Sequence, residues 1–359
     1  MEYANLYKEG AQMPKKTQKH LKNKGKVCAD KKPKLQKAHR TQRQNKALAK
    51  QILDKYNTQK TERVFVAGGS RPGYNAEYAA AAFQLGQVIG KRNYQLAFGF
   101  SPKGIMGAVA QGVLETWKKK DKSLLKPIQG VTTEHYQKLY PDDDLLKEVT
   151  DVIVSHTLEE RKQNLLSADF VVFAPGGLGT LDELVYDCVA MQDGWLKIKP
   201  FVFFNVGEYF HHLLEYLKDI HLKGFSDRMP FIVVDNLFEI NVVFDMIAFY
   251  HTQMKNKKDI VQIVDKIIYE LPYVIEQLKK DETLHVSRVL KDAHRVLEKG
   301  SLKEKQTLSR AIELAYLNKE IQRMNERLIS TSRDTALASR KLDILKHKME
   351  KTRETNGFY

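Results

Sequence analysis

Three features of this 359-residue chain predict an α/β fold, a Rossmann-like doubly wound parallel sheet. Short apolar runs recur between Val64 and Asp235, stretches with helical patterning separate them, and glycine turns follow the runs rather than precede them. Strands alternating with helices imply right-handed crossovers and a parallel sheet covered on both faces. In such sheets ligands bind at the carboxyl ends of the strands, where these glycine turns fall.

In order, Val64 to Ala67 reads as a strand ending at Gly68-Gly69-Ser70, and Asn75 to Lys91 as an alanine-rich helix. Tyr94 to Phe98 is a second strand ending at Gly99, Gly104 to Lys118 a helix, and Pro127 to Val131 a short strand. Asp151 to Ser155 is a strand, Leu158 to Leu166 a helix, and Ala168 to Ala174 the strand that enters the turn Pro175-Gly176-Gly177-Leu178-Gly179-Thr180. Gly179 to Met191 is helix, Pro200 to Val206 strand, Tyr209 to Leu222 helix and Phe231 to Asp235 the last strand. Strands stop after about Asn256, where Asp259 to Lys280 and Val286 to Lys299 read as helices and Gly300 breaks the chain. Leu314, Leu317, Ile321, Met324 and Leu328 then recur at heptad spacing. The same register continues through Thr331, Thr335, Ala338, Leu342, Leu345 and Met349. That seam predicts either a long helix packed on its own domain or a coiled coil with a partner helix.

Three segments result: a basic arm with a lead-in helix (1–60), the α/β domain (61–255) and a helical extension (256–359) with its heptads at 314–349. The net charge is +15, and residues 1–60 hold 17 Lys and Arg against 4 Asp and Glu. The basic character therefore belongs to the arm. From Met1 to about Lys46 its composition predicts disorder, and it suits RNA or another polyanion, or else a solubilising tail. Two cysteines, Cys28 and Cys188, exclude a disulfide framework. With neither a spanning apolar run nor a secretory signal, the expected location is cytoplasmic, with no membrane span.

The run Phe170 to Phe173, the glycine turn and the following helix present backbone N–H groups and a helix N-terminus to a phosphate. Gly176, Gly177 and Gly179 let a ligand approach the backbone, and Thr180 can cap the helix and donate to a phosphate oxygen. Glu183 lies a turn later. The helix dipole is expected to keep it ionised, suited to stabilising an oxocarbenium ion or orienting the attacking water. Arg161 and Lys162 open the preceding helix, an unfavourable place for cations. Arg161 either holds phosphate or sugar oxygens or is a surface charge paired with Glu159 or Glu160. The turns at Gly69-Ser70 and Gly99 are expected to line the same crevice. His135, His156, His211, His212 and His221 show no metal-ligand spacing.

From about Val64 to Phe249 the chain resembles the LOG family, phosphoribohydrolases that release cytokinin bases from riboside monophosphates and were long labelled lysine decarboxylases. The resemblance rests on Arg161-Lys162 and on Pro175 to Glu183, matching Pro-Gly-Gly-x-Gly-Thr-x-x-Glu. It extends to Gly69-Ser70, Tyr78, Ala80-Ala81, Leu85-Gly86, Gly104-Ile105-Met106-Gly107, and Gln192, Gly194 and Lys199-Pro200. It implies hydrolysis of a purine nucleoside 5′-monophosphate, AMP or an N6-modified AMP, to free base and ribose 5-phosphate. It also implies a homodimer with no metal or other cofactor. By the match Arg161 and Glu183 are the catalytic pair, and Gly176, Gly177, Gly179 and Thr180 hold the 5′-phosphate. Gly69, Ser70, Gly99 and Lys162 are the further substrate-binding positions. Members carry three glycines where this chain has Gly99-Phe100-Ser101, so Phe100 is expected to narrow the pocket or stack on the base. Thr132 to Lys147 also departs from the family, which bears on base specificity. The alternatives are a non-catalytic nucleotide-binding or sensing protein, favoured by Phe100 and the extensions, and a molybdenum-cofactor carrier with a similar glycine motif. No lysine context supports Schiff-base decarboxylation.

Overall fold

The computed structural model describes residues 62–118, 127–149, 151–196, 199–227, 229, 231–253, 260–330 and 343–351. The basic arm, its lead-in helix and the heptad positions Thr331, Thr335, Ala338 and Leu342 lie outside them. Seven strands form one parallel sheet: β1 (Arg63–Ala67), β2 (Gln95–Phe98), β3 (Ile128–Thr133), β4 (Asp151–Ser155), β5 (Phe170–Phe173), β6 (Phe201–Phe204) and β7 (Phe231–Val234). Their order is β4-β3-β2-β1-β5-β6-β7, so the chain reverses its direction of winding between β1 and β5. The doubly wound sheet expected from the alternation is therefore present, with its switch point beside the glycine turn.

Strand side chains alternate between two cores, as a period of two requires. Val64, Val66, Leu96, Phe98, Phe170, Val172, Val202 and Phe204 enter one; Phe65, Ala67, Ala97, Val171, Phe173, Phe201 and Phe203 enter the other. The second core is closed by α5 (Leu158–Leu166), α6 (Leu178–Gln192) and α7 (His211–Leu222). Over the first lie α1 (Ala76–Lys91) and α2 (Gly104–Lys118), with α8 (Leu237–Gln253), α9 (Ile260–Lys280) and α10 (Val286–Lys299). Sequence reading passed over α8. Its Ile240, Val243, Phe244, Met246 and Ile247 are buried around much of its girth, which erases the one-sided periodicity that marks a surface helix. Two single-turn helices, α3 (Glu134–Gln137) and α4 (Asp144–Lys147), fill the segment that departs from the family pattern. They are capped by Thr133 and Asp143, whose side chains accept from Tyr136 N and from Leu145 and Leu146 N.

The helices beyond residue 256 share the sheet's own core, since Ile263, Val264, Ile267, Val274, Val289 and Leu290 belong to the cluster that holds Val64 and Phe170. In that layer Tyr250 donates to Glu270, and His294 Nε2 lies 3.2 Å from Tyr250 Oη, tying α8, α9 and α10 together. The last long helix, α11 (Leu302–Ser330), is latched to the carboxyl end of β7. Lys319 Nζ reaches Asp235 at 2.9 Å and Glu239 at 2.6 Å, and Arg323 reaches Asp235 at 3.3 Å and donates to Val233 O at 2.9 Å. Burial would push Asp235 up, but Arg323 and Lys319 overcome it and hold the carboxyl below its ordinary value. Leu317 and Met324 of the heptad seam are buried. One continuous helix from 314 to 349 is ruled out. Lys348 Nζ lies 3.5 Å from Glu313 Oε1, whereas a straight helix would separate those residues by roughly 50 Å. Residues 343–351 therefore return beside α11 near Glu313.

The closest packing is between α1 and α2, where backbones meet. A Cβ on Gly86 would stand 2.0 Å from Val109 O, and one on Gly112 would stand 2.0 Å from Phe83 O. Gly86→Val should force the helices apart and cost about 1–3 kcal/mol. The expected outcome is a lower denaturant midpoint with an unchanged slope; an unchanged midpoint refutes the close contact.

Candidate active site

At the switch point a cleft of about 680 Å³ opens over the carboxyl ends of β1, β2, β3 and β5. It is lined by Gly69, Ser70, Gly99, Arg161, Glu183 and the turn residues Gly176, Gly177, Gly179 and Thr180, so the structure gathers all but one of the expected positions. The exception is Lys162. One residue along a helix is a rotation of about 100°, and that turns its ammonium to Asp182 at 3.0 Å and over the Tyr186 ring at 4.9 Å.

The turn is stitched to its neighbours. Gly69 N donates to Pro175 O at 3.0 Å, and Met106 N to Gly69 O at 3.2 Å. The helix begins at Leu178 with Gly177 as its N-cap and no side-chain cap, so Thr180 does not cap it as expected. Instead Thr180 stands three residues past the cap, where its Oγ1 is buried without a protein partner. A Cβ on Gly176 would meet that oxygen at 2.0 Å, which accounts for a glycine there. Around Gly177 and Gly179 a Cβ would meet no protein atom within 4 Å; the missing side chains leave open space beside the helix N-terminus. Free N–H groups, an orphaned hydroxyl and that space are features from which an anion site can be built.

Arg161 is fixed rather than floating on the surface. Its Nε donates to Val131 O at 3.1 Å, its second terminal nitrogen to Gly99 O at 3.0 Å, and Nη1 stands 3.6 Å from Glu183 Oε1. Both side chains are 12% exposed. Neither Glu159 nor Glu160 pairs with it; Glu160 is engaged by His156 N and Thr157 at the helix start. Gly99 is required by this approach, since a Cβ there would lie 2.3 Å from the guanidinium. Tyr136 covers the guanidinium from α3 at 5.4 Å.

Glu183 is not held ionised by the helix dipole, contrary to expectation. Burial pushes its carboxyl up to about 7; Arg161 opposes that rise, Asp182 adds to it and Lys162 opposes it weakly. The dipole acts mainly in the first turn, and Glu183 lies beyond it. A turn further on the same helix, Asp187 is fully buried and pushed up to about 6 by desolvation, against the pull of Lys199. At 3.8 Å that ammonium is an ion-pair partner and too far for a hydrogen bond.

Phe100 does not plug the cleft. It takes a left-handed backbone angle, φ 63°, where glycine is at ease. Its ring turns down onto Gly130, beside Phe98, leaving the residue 6% exposed as part of the floor. Two contributors escaped sequence reading. Tyr136 lies on a one-turn helix without a periodic signal, and Tyr209, whose hydroxyl donates to Gly176 O, comes from the loop after β6 and is braced edge-on by Tyr78 at 5.5 Å. Among the described residues no group of three His, Cys, Asp or Glu is placed to hold a metal ion, and no helix is long and apolar enough to cross a membrane.

The family described as "Possible lysine decarboxylase" matches residues 106–240. The cytokinin riboside 5′-monophosphate phosphoribohydrolase LOG1 of Arabidopsis thaliana is 26% identical over 231 residues, covering 64% of this chain and 98% of that protein. A probable cytokinin riboside 5′-monophosphate phosphoribohydrolase of Oryza sativa subsp. japonica, LOGL1, is 30% identical over 164 residues, 45% of this chain and 68% of that protein. Among solved structures, the Moco carrier protein of Chlamydomonas reinhardtii aligns with 53% of this chain and 99% of its own at 20% identity and a TM-score of 0.38.

The raised Glu183 carboxyl makes a signed prediction. Between its unfolded value near 4.5 and about 7 the folded protein holds the extra proton, so this group's stabilisation is lost as pH rises across that window. Asp187 pulls in the same direction, so Glu183 is isolated by a difference. The melting temperature of Glu183→Gln minus that of wild type should be more positive at pH 8 than at pH 5; an equal or reversed difference refutes the assignment.

Proposed function

The chain belongs to the LOG family, and from that premise we propose that it hydrolyses the N-glycosidic bond of a purine nucleoside 5′-monophosphate, AMP or an N6-modified AMP. The observation that carries this reading is the joint placement of the anion cradle at 176–180 and the Arg161–Glu183 pair in one cleft. The 5′-phosphate sits on the N–H groups of Leu178, Gly179 and Thr180, with the Thr180 hydroxyl as a further donor. The ribose then lies over Glu183.

The C1′–N bond breaks with its electron pair leaving on the base nitrogen, which takes a proton from solvent. A water oxygen bonds to C1′ and gives its proton to Glu183, whose ionised form also faces the oxocarbenium charge. A carboxyl near 7 is matched to that proton transfer at neutral pH. Arg161 holds Glu183 in place and offers a donor to the sugar. Phe100 lines the floor of the cleft, with its ring on Gly130 and beside Phe98.

The homodimer reading is supported by the outer face of α6, where Leu178, Leu181, Val185 and Val189 are 85%, 37%, 48% and 53% exposed at helical spacing. An apolar stripe of this kind marks a protein contact. Sedimentation should give a dimer, and Val185→Asp combined with Val189→Asp a monomer; a monomeric wild type removes the reading.

Incubation with a nucleoside monophosphate panel should release ribose 5-phosphate, with kcat/KM rising with pH through about 7 as Glu183 ionises. Glu183→Gln should lose on the order of 10²–10⁴-fold. Gly99→Ala, which displaces the guanidinium, should lose on the order of 10²-fold. Nucleotide binding without release of base in wild type would return the sensing alternative.

A further inference from the structure

Arg161 and Glu183 stand on different helices, α5 and α6, and their 3.6 Å separation depends on how those helices are placed. Two sets of contacts cross between them. On the outer side Lys162 reaches Asp182 at 3.0 Å, and Gln163 donates to the Tyr186 hydroxyl at 3.4 Å. The Asp182 side chain is 62% exposed, and exposed pairs of this kind fix little. On the inner side one ammonium makes the connection. Lys199, just before β6, donates to Leu166 O at the end of α5 and stands 3.8 Å from Asp187 of α6. Leu166 lies roughly 7.5 Å along α5 from Arg161, and Asp187 roughly 6 Å along α6 from Glu183. The inner contact thus sits a turn or so beyond each member of the pair.

Lys199 and Asp187 are both buried, and neither is among the described residues that line the cleft. Leu165, Leu166, Leu184, Met191 and Phe201 fill the core around that side of the sheet. Stability alone does not account for two charges there. Both Asp187 oxygens lack a hydrogen-bond partner, and burial works against each ion, pushing the carboxyl up and the ammonium down. Apolar side chains of similar volume often fill such a place with no loss of stability, or with a gain. What they do not supply is direction. Apolar contact is non-directional, so helices held by it alone can slide. An ammonium committed to a carbonyl of one helix and facing a carboxylate of the next resists that movement. The end of α5 is also held from β1, where Arg63 donates to Asn164 O at 3.0 Å and to the Ser167 hydroxyl. We infer that Lys199, with Asp187, is a positioning residue that sets the spacing of α5 and α6, and through it the contact between Arg161 and Glu183. This rests on the phosphoribohydrolase reading and adds to it residues outside the cleft on which turnover depends.

The test compares wild type with the double variant Lys199→Met, Asp187→Leu, which replaces the pair by apolar side chains. A third protein, Lys199→Arg, keeps a cation whose fork can donate to Leu166 O and reach Asp187. The double variant should melt within about 3 °C of wild type, while kcat for AMP falls on the order of 10- to 10²-fold. KM should stay within about twofold, as should inhibition by ribose 5-phosphate, because the turn at 176–180 is untouched. Lys199→Arg should return to within about threefold of wild type. As Arg161 moves off, its opposing pull on Glu183 weakens, so the midpoint of the kcat–pH profile should move up from about 7. Asp182 and Lys162, the other charges acting on Glu183, are unchanged in these proteins. A double variant that turns over like wild type overturns the inference, as does a Lys199→Arg protein no better than the double variant. A loss of activity that comes with a collapsed melting temperature, or with an unmoved pH midpoint, marks the pair as structural and overturns it too. If wild type hydrolyses nothing, the proposed activity fails instead. NMR titration of the Glu183 carboxyl carbon in the same three proteins then decides the positioning role: a raised midpoint in the double variant supports it, and an unmoved one overturns it.

Discussion

One guanidinium sets the geometry of the cleft. Arg161 leaves a helix that follows β4, donates to the carbonyls of Gly99 after β2 and Val131 in β3, and meets Glu183 from the helix after β5. The helices that follow β4 and β5 are thereby tied to β2 and β3. The arrangement tolerates little substitution at its centre, because the guanidinium occupies the space that a side chain at residue 99 would need. With Tyr136 across its face, the charge is largely removed from water, which strengthens every polar contact it makes.

The sheet makes this convergence possible. Both of its faces are filled, one by Phe65, Phe173 and Phe203 and their helices, the other by Val66, Phe98 and Val172 with α1, α2 and the later helices. The carboxyl edge at the winding reversal is where loops splay apart and the cleft opens. The C-terminal helices belong to the same construction. They complete one core, and the ion cluster of Asp235, Glu239, Lys319 and Arg323 fastens the last of them to the edge strand. A cluster so enclosed gains from mutual satisfaction rather than from net charge attraction, since each ion is desolvated.

Opposed demands meet on α6. Its N-terminus leaves donors open and a threonine hydroxyl unpartnered, while two acids further along, Glu183 and Asp187, are buried enough to be pushed to about 7 and about 6. Each feature costs stability in the unliganded protein. The cost falls on one helix, next to one cleft, and the same features favour binding an anion and moving a proton.

Period-two apolar runs, intervening helices and glycines after strands are local properties, so the doubly wound sheet and the place of the turn at 176–180 were readable from the residues alone. The place of Glu183 beside that turn was readable as well, whereas Arg161 stood open between a ligand contact and a surface charge until the structure set it against Glu183. What the pattern could not carry was direction and environment. Lys162 turns away from the cleft, Phe100 turns down into the floor, Thr180 sits inside the helix it was expected to cap, and Glu183 is raised rather than kept ionised. α8 is buried on too many sides to show a stripe, Tyr136 and Tyr209 come from segments too short to be periodic, and Lys348 lies beside Glu313 rather than far along one helix. Sequence spacing determines which residues share a strand or a helix face. Which elements meet, and how much water is left between them, depends on packing between parts far apart in the chain, and only the tertiary structure decided it.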